Sequence, residues 1–194
     1  MRKAKWIFFL ACLTYSYSAF PDQMKGYYVD LKGDTTYVIF DIPLYLNSPN
    51  YHMIQNEIKY FDSNGKKVKL KSRITTTYCF LFNDSLIKMV AYNGPMVLAK
   101  FLKLQVDGEL KLYIFYSPSS SNPLSLLLLK EPLLENYLYQ KRNEKFLAIN
   151  TLNFRNQMSG YLSEFPDLVA KINSKIYKVK DIEKITLEYN AHFL

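Results

Sequence analysis

The sequence predicts an α+β fold, an antiparallel meandering β-sheet that curls toward a barrel or sandwich and is followed by a small C-terminal helical tail. Three observations predict it. Short runs of valine, isoleucine, tyrosine and phenylalanine alternate with glycine, asparagine and aspartate turns from Tyr27 to Phe115. After Asn143 the apolar residues recur every three or four positions instead of every two. A composition that is 49% hydrophobic and 16% aromatic over 194 residues supplies the apolar surface for a packed core.

The first element is a leader. Arg2, Lys3 and Lys5 precede the apolar run Trp6 to Leu13, the charged-then-greasy order of a secretory signal peptide, and the run is too short to span a bilayer. Small residues at Ser16 and Ser18 place cleavage after Ser18, with Ala19 as the near alternative. Phe9-Leu10-Ala11-Cys12 is a rival lipobox, so membrane association is expected only if Cys12 carries lipid. The chain therefore divides into a signal peptide (1–18), an antiparallel β region (19–142) and a helical segment packed on the sheet (143–194).

Loss of Arg2, Lys3 and Lys5 leaves 22 basic against 17 acidic residues and lowers the net charge from +8 to +5. The lysines are scattered singly rather than blocked, which gives nucleic-acid binding no support beyond charge. Cys79 is the one cysteine that remains, so no intramolecular disulfide forms and packing must stabilise the fold.

Tyr27 to Leu31 and Thr36 to Ile42 flank the glycine turn Lys32-Gly33-Asp34-Thr35 and read as the first hairpin, stopped by Pro43. Ile58 to Phe61 and Val68 to Lys71 flank Asp62-Ser63-Asn64-Gly65 as the second. Tyr78 to Phe82 and Leu86 to Val90 around Asn83-Asp84 make the third. In the fourth, Asp107-Gly108 suits a type I′ turn that would align Leu102, Leu104 and Val106 with Leu110, Leu112 and Ile114 on one face. The polar stretch Ser117 to Pro123 reads as a surface loop, and the leucine-rich Leu124 to Lys130 as a last strand buried on both faces.

From Asn143 onward Leu147, Thr151, Phe154, Met158, Tyr161 and Leu162 trace a helical stripe. Ser163 is placed to cap a second helix with Pro166 in its first turn and Leu168, Val169 and Ile172 facing inward. A third starts at Lys180 or Asp181, with Ile182, Ile185 and Tyr189 as its stripe.

The order Gly26-Tyr27-Tyr28-Val29 with Gly33-Asp34-Thr35, Ile58 to Asp62 with Asn64-Gly65-Lys66-Lys67, and Phe101 to Leu104 with Asp107-Gly108 and Leu112-Tyr113 resembles a family of small exported β-rich proteins of Gram-negative bacteria. Phe154 to Met158, Phe165 to Leu168 and Tyr177 to Asn190 are similar to that family's ending. The resemblance covers nearly the whole mature chain and implies fold and compartment, without an activity or site to transfer. Members often carry cysteine just before the tail proline, where this chain has Phe165.

Catalytic constellations are scarce. His52 and His192 are the only histidines and lack metal-ligand spacing. A Cys79–His52 pair would make a thiol nucleophile and base, but Cys79 sits in an apolar run and reads as a small buried hydrophobe. Asp30, Asp34 and Asp41 crowd the first hairpin as calcium ligands or an acid–base pair; more plainly, Asp34 is a turn residue and Asp30 and Asp41 are solvated strand positions. No glycine-rich phosphate loop, dinucleotide fingerprint or serine elbow occurs. The sequence thus nominates no catalytic, cofactor-binding or metal-binding residue. It points to an exported cell-envelope protein, periplasmic, on the outer-membrane surface or extracellular, whose sheet binds an envelope protein, a glycan or a hydrophobic ligand; the alternative is an exported hydrolase using carboxylates on the sheet.

Overall fold

The computed structural model describes residues 22–95, 99–118, 133–142 and 144–193. The leader, Cys12, the cleavage position at Ser18 and Ala19 and the expected Leu124 to Lys130 strand lie outside them.

The sheet is antiparallel throughout, as the fold class predicts, and it stays open instead of closing into a barrel. In chain order its strands are β1 (Asp22–Asp30), β2 (Thr35–Ile42), β5 (Ile58–Phe61), β6 (Lys67–Leu70), β7 (Thr75–Phe82), β8 (Ser85–Tyr92), β9 (Lys100–Val106), β10 (Leu110–Pro118), β11 (Leu133–Lys141) and β12 (Leu147–Ala148). A separate small ladder joins β3 (Leu44–Tyr45) to β4 (Ser48–Pro49), just before the one-turn helix α1 (Tyr51–Ile54). The spatial order is β12-β11-β10-β9-β8-β7-β1-β2-β5-β6, so the meander is broken once, where β7 returns to pair with β1 instead of β6. The tail holds α2 (Phe154–Tyr161), α3 (Pro166–Asn173) and α4 (Ile182–His192).

Alternation and register sort the side chains onto two faces. On the inner face of the N-terminal half, Phe40, Tyr78, Phe80, Met89 and Phe101 pack with Ile42, Ile54 and Ile58. On the inner face of the C-terminal half, Leu110, Leu112 and Tyr139 meet Met158, Leu162, Leu168, Ile172, Ile182, Ile185 and Tyr189 of the tail. The outer face carries a smaller cluster of Tyr92, Leu102, Tyr113 and Leu138, with the Phe146 ring edge-on to Tyr92 at 5.0 Å. Polar contacts fasten the tail: the Tyr139 hydroxyl donates to the Ile182 carbonyl at 2.9 Å, and Lys141 Nζ donates to the Tyr161 carbonyl at 2.8 Å and pairs with Glu164 at 3.2 Å.

Five expectations need correction. Asp107-Gly108 is not a two-residue type I′ turn, since Val106 pairs with Leu112 and Leu104 with Tyr113, leaving Gln105 as a bulge. The bulge sends Leu102 and Leu104 to the face of Tyr113 while Val106 joins Leu110 and Leu112. The type I′ geometry sits instead at Asn83 (φ 47°) and Asp84 (φ 59°). Leu133–Lys141 is a strand along the whole of β10, where the sequence reading saw none because Glu135, Asn136 and Gln140 interrupt its apolar run. Ser117 and Pro118, read as loop, extend β10; Leu147, read as helical, pairs with Tyr139 in β12. Phe165, not Ser163, occupies the cap position of α3, and Pro166 supplies the fixed φ of its first turn.

Three side-chain amides do the work of missing strand partners. Asn190 accepts from Leu110 N at 2.7 Å and donates to Leu110 O at 3.0 Å; Gln55 accepts from Tyr116 N at 2.9 Å and donates to Tyr116 O at 2.6 Å. Gln157 clasps the outer edge of β12 likewise, accepting from Asn150 N at 2.8 Å and donating to Ala148 O at 2.7 Å. An amide offers one donor and one acceptor side by side, which matches a strand's own N–H and C=O. Gly108 (φ 151°) leaves the space that Asn190 fills.

Candidate binding face

The outer face of the N-terminal half is concave. Beneath it the sheet is tightly packed at Gly26: a Cβ there would collide with the Cys79 carbonyl oxygen and stand 2.8 Å from the Phe40 ring, so only glycine lets β7 and the inner-face ring press this close to β1. Registers then set the floor. Lys25 lies across from Ile39, and Ile39 across from Phe61; Tyr27 lies across from Tyr37 on one side and Cys79 on the other; Leu81 is paired with Leu86.

Apart from buried Cys79, these residues line an open hollow of about 860 Å³ together with Thr36, Asp62 and Ser63. Its apolar side chains face water: Tyr37 is 81% exposed, Leu86 55%, Leu81 51% and Ile39 43%. The Tyr27 and Tyr37 rings lean on each other at 5.8 Å. Other lysines lie on the same outer face. Lys67 pairs with buried Asp41 at 2.7 Å and lies 5.2 Å over the Phe61 ring, Lys69 pairs with Glu57 at 2.8 Å, and Lys88 reaches Asp107 at 3.5 Å. Lys25 has no ion pair among the described residues, although it sits in the floor itself.

The residues singled out in the sequence fall elsewhere. Cys79 is fully buried under the hollow, and burial raises its thiol pKa above the ordinary value against smaller opposing pulls from Tyr27 and Lys88, so it is a packing residue as expected. It forms no dyad with His52. Tyr78, which points the opposite way from Cys79, is the residue that reaches α1, its hydroxyl donating to the Ile54 carbonyl at 2.9 Å. His52 Nδ1 stands 3.5 Å from Gln55 Nε2, and His192 stacks on Phe165 with ring centroids 3.9 Å apart.

The three aspartates do not converge on one task. Asp30 is the turn residue, its carboxylate accepting from Lys32 N at 2.8 Å and Asp34 N at 3.0 Å, and Asp41 is a buried partner of Lys67 rather than a solvated strand position. Among the described residues no group of three or more His, Cys, Asp or Glu side chains is gathered to hold a metal ion, and no helix is long and apolar enough to cross a membrane.

The hollow itself was not read from the sequence, though a signal for it exists. Tyr37-Val38-Ile39-Phe40 and Phe80-Leu81-Phe82 are continuous apolar runs where a one-sided sheet would alternate with polar residues. Such runs ordinarily mark strands covered on both faces. Here the second cover is missing among the described residues. No family model, no curated protein and no solved structure matches the chain.

Proposed function

We propose that the protein is an exported, noncatalytic binding module of the cell envelope and that its ligand site is the hollow over β1, β2, β5, β7 and β8. One observation carries the reading: exposed Tyr37, Ile39, Leu81 and Leu86 meet in one concavity, about 860 Å³ in size, in the range typical of ligand sites. Export rests on the charged and apolar leader at Arg2 to Leu13. The ligand is apolar in its main part, because aliphatic and aromatic side chains (Tyr27, Tyr37, Ile39, Phe61, Leu81 and Leu86) outweigh the polar groups of Lys25, Thr36, Asp62 and Ser63 in the lining. The hydrolase alternative gains nothing, since Asp30 and Asp41 are engaged in a turn and an ion pair.

Two measurements test the reading. Mass spectrometry of the natural protein is expected to find an N-terminus at or beside Ala19; recovery of intact Met1 in a soluble cytoplasmic fraction would refute export. An environment-sensitive apolar dye is expected to bind the purified protein and to be lost on Leu86→Asp, with the melting temperature kept; unchanged dye binding would remove the hollow from consideration.

A further inference from the structure

Resting on that reading, we infer that the hollow takes a single-chain anionic amphiphile, a carboxylate with an unbranched apolar tail, and that Lys25 holds its head. The charge distribution singles out this residue. Lys67, Lys69 and Lys88 on the same face already have Asp41, Glu57 and Asp107 as partners. Lys25 and Lys59 have no ion pair among the described residues, and of these two only Lys25 lines the hollow.

Its position is unusual for a free ammonium. Lys25 lies across from Ile39, and because Gly26 lies across from Phe80, it also lies beside Leu81. A charge set among the apolar side chains of the lining would meet a ligand's polar end while the tail covers its neighbours. The Tyr27 and Tyr37 rings stand on one side of it and Phe61 beyond Ile39 on the other, giving the tail a flat aromatic and aliphatic track.

The head is a carboxylate because, among the described residues, the lining offers a single cation, while its one carboxylate, Asp62, is held in the β5–β6 turn by Asn64 N and Lys66 N. A phosphate dianion is held by several donors or by the guanidinium fork, and no arginine lines the hollow. A sugar would need a ring of hydrogen-bonding side chains, whereas the neutral ones in this lining are Thr36, Ser63 and the tyrosine hydroxyls, and Leu81, Leu86, Ile39 and Phe61 offer none.

The test compares decanoate with 1-decanol, both below their aggregation limits, by heteronuclear NMR titration of the purified protein and its Lys25→Gln variant. Decanoate is expected to shift resonances of Tyr27, Tyr37, Leu81 and Leu86 and to bind the variant about five- to tenfold more weakly, as for an ion pair partly removed from water, with decanol unaffected by the substitution. Lys25 is exposed, so the variant should melt with the wild type. Equal affinity for acid and alcohol, both insensitive to Lys25→Gln, would overturn the head-group assignment and leave the hollow as a plain apolar site. Shifts confined to other regions, or no binding of either compound, would overturn the site reading as well.

Discussion

Along β10 and β11 the inner face of the sheet is roofed by α2, α3 and α4, whose Met158, Leu162, Leu168 and Ile185 are completely buried, while the outer face of β1, β2, β5, β7 and β8 holds Tyr37, Ile39, Leu81 and Leu86 in water. Both are apolar faces of one sheet. The roofed face follows the rule that an apolar sheet face must be covered by a second layer. The bare face departs from the alternation that lets an antiparallel sheet meet solvent on its other side. What differs is the source of the cover: at one end the chain supplies it, and at the other, on the proposed reading, a ligand does. The two faces should therefore answer substitution in opposite ways, and each of the following measurements can break that contrast.

The largest effect belongs to the roof. Truncation after Arg142 strips Leu110, Leu112 and Tyr139 of their cover and removes the Ile182 carbonyl that accepts from Tyr139. The product is expected to aggregate or to lose its near-ultraviolet circular dichroism while keeping strand content. A truncated chain that stays monomeric and melts cooperatively would show that the helices are an appendage. Met158→Ala, a milder version, should cost about 2–5 kcal/mol in denaturant unfolding, through lost burial plus the cavity left behind.

Gly26→Ala tests the close packing of β1 and β7 under the hollow. The new methyl group meets the Cys79 carbonyl and the Phe40 ring at once, and neither the backbone nor a fully buried ring can give way cheaply. The cost is expected at the top of the ~1–3 kcal/mol range for overpacking, or above it. Dye binding should fall together with stability. A variant as stable as wild type that still binds would mean that β1 and β7 do not need their close approach.

How much of this was legible in the sequence depends on where the information lies. The first three hairpins read correctly because each turn carries its own chemistry, with Gly33 and Gly65 at positive φ and Asn83-Asp84 in left-handed backbone. The tail helices read correctly from Met158, Leu168 and Ile185 at helical spacing. The fourth hairpin misread because its register shifts at Gln105, which the Asp107-Gly108 turn does not signal, and its Leu110 is clasped from 80 residues away by the amide of Asn190. The Leu133–Lys141 strand was missed because its neighbours, not its own alternation, hold it in place. The burial of Cys79 followed from its local apolar context, but the hollow did not. Exposure of Tyr37 or Leu81 is decided by what fails to pack on them, which no local pattern contains.

The clasps measure how much of the roof is polar. Asn190→Ala leaves Leu110 N and O without their partner in a buried setting, an expected loss of about 1–3 kcal/mol. Asn190→Asp should be intermediate, because a carboxylate still accepts from Leu110 N but cannot donate to Leu110 O. Urea unfolding of the three proteins gives the ranking. If Asn190→Asp matches Asn190→Ala, the acceptor half of the clasp contributes nothing.

The smallest change in stability is expected where the exposed apolar area is greatest. Tyr37→Ser and Leu86→Ser remove side chains that are 81% and 55% exposed, so little buried surface is lost on substitution. Each should shift unfolding by no more than about 0.5 kcal/mol, the usual range for surface positions. In a roofed site the same change would cost several times as much, which makes stability a direct test of whether these residues have a cover. A large loss for either variant would mean that something in the chain packs on the hollow, and the face would then belong to the fold instead of to a ligand. Unchanged stability with lost dye and decanoate binding gives the opposite result: the residues are kept for what they contact from outside. Of the two variants Leu86→Ser is the sharper test, because Leu86 pairs across the ladder only with Leu81, whereas Tyr37 also leans on Tyr27 and shares a ring contact of the kind worth about 0.5–1.5 kcal/mol when buried.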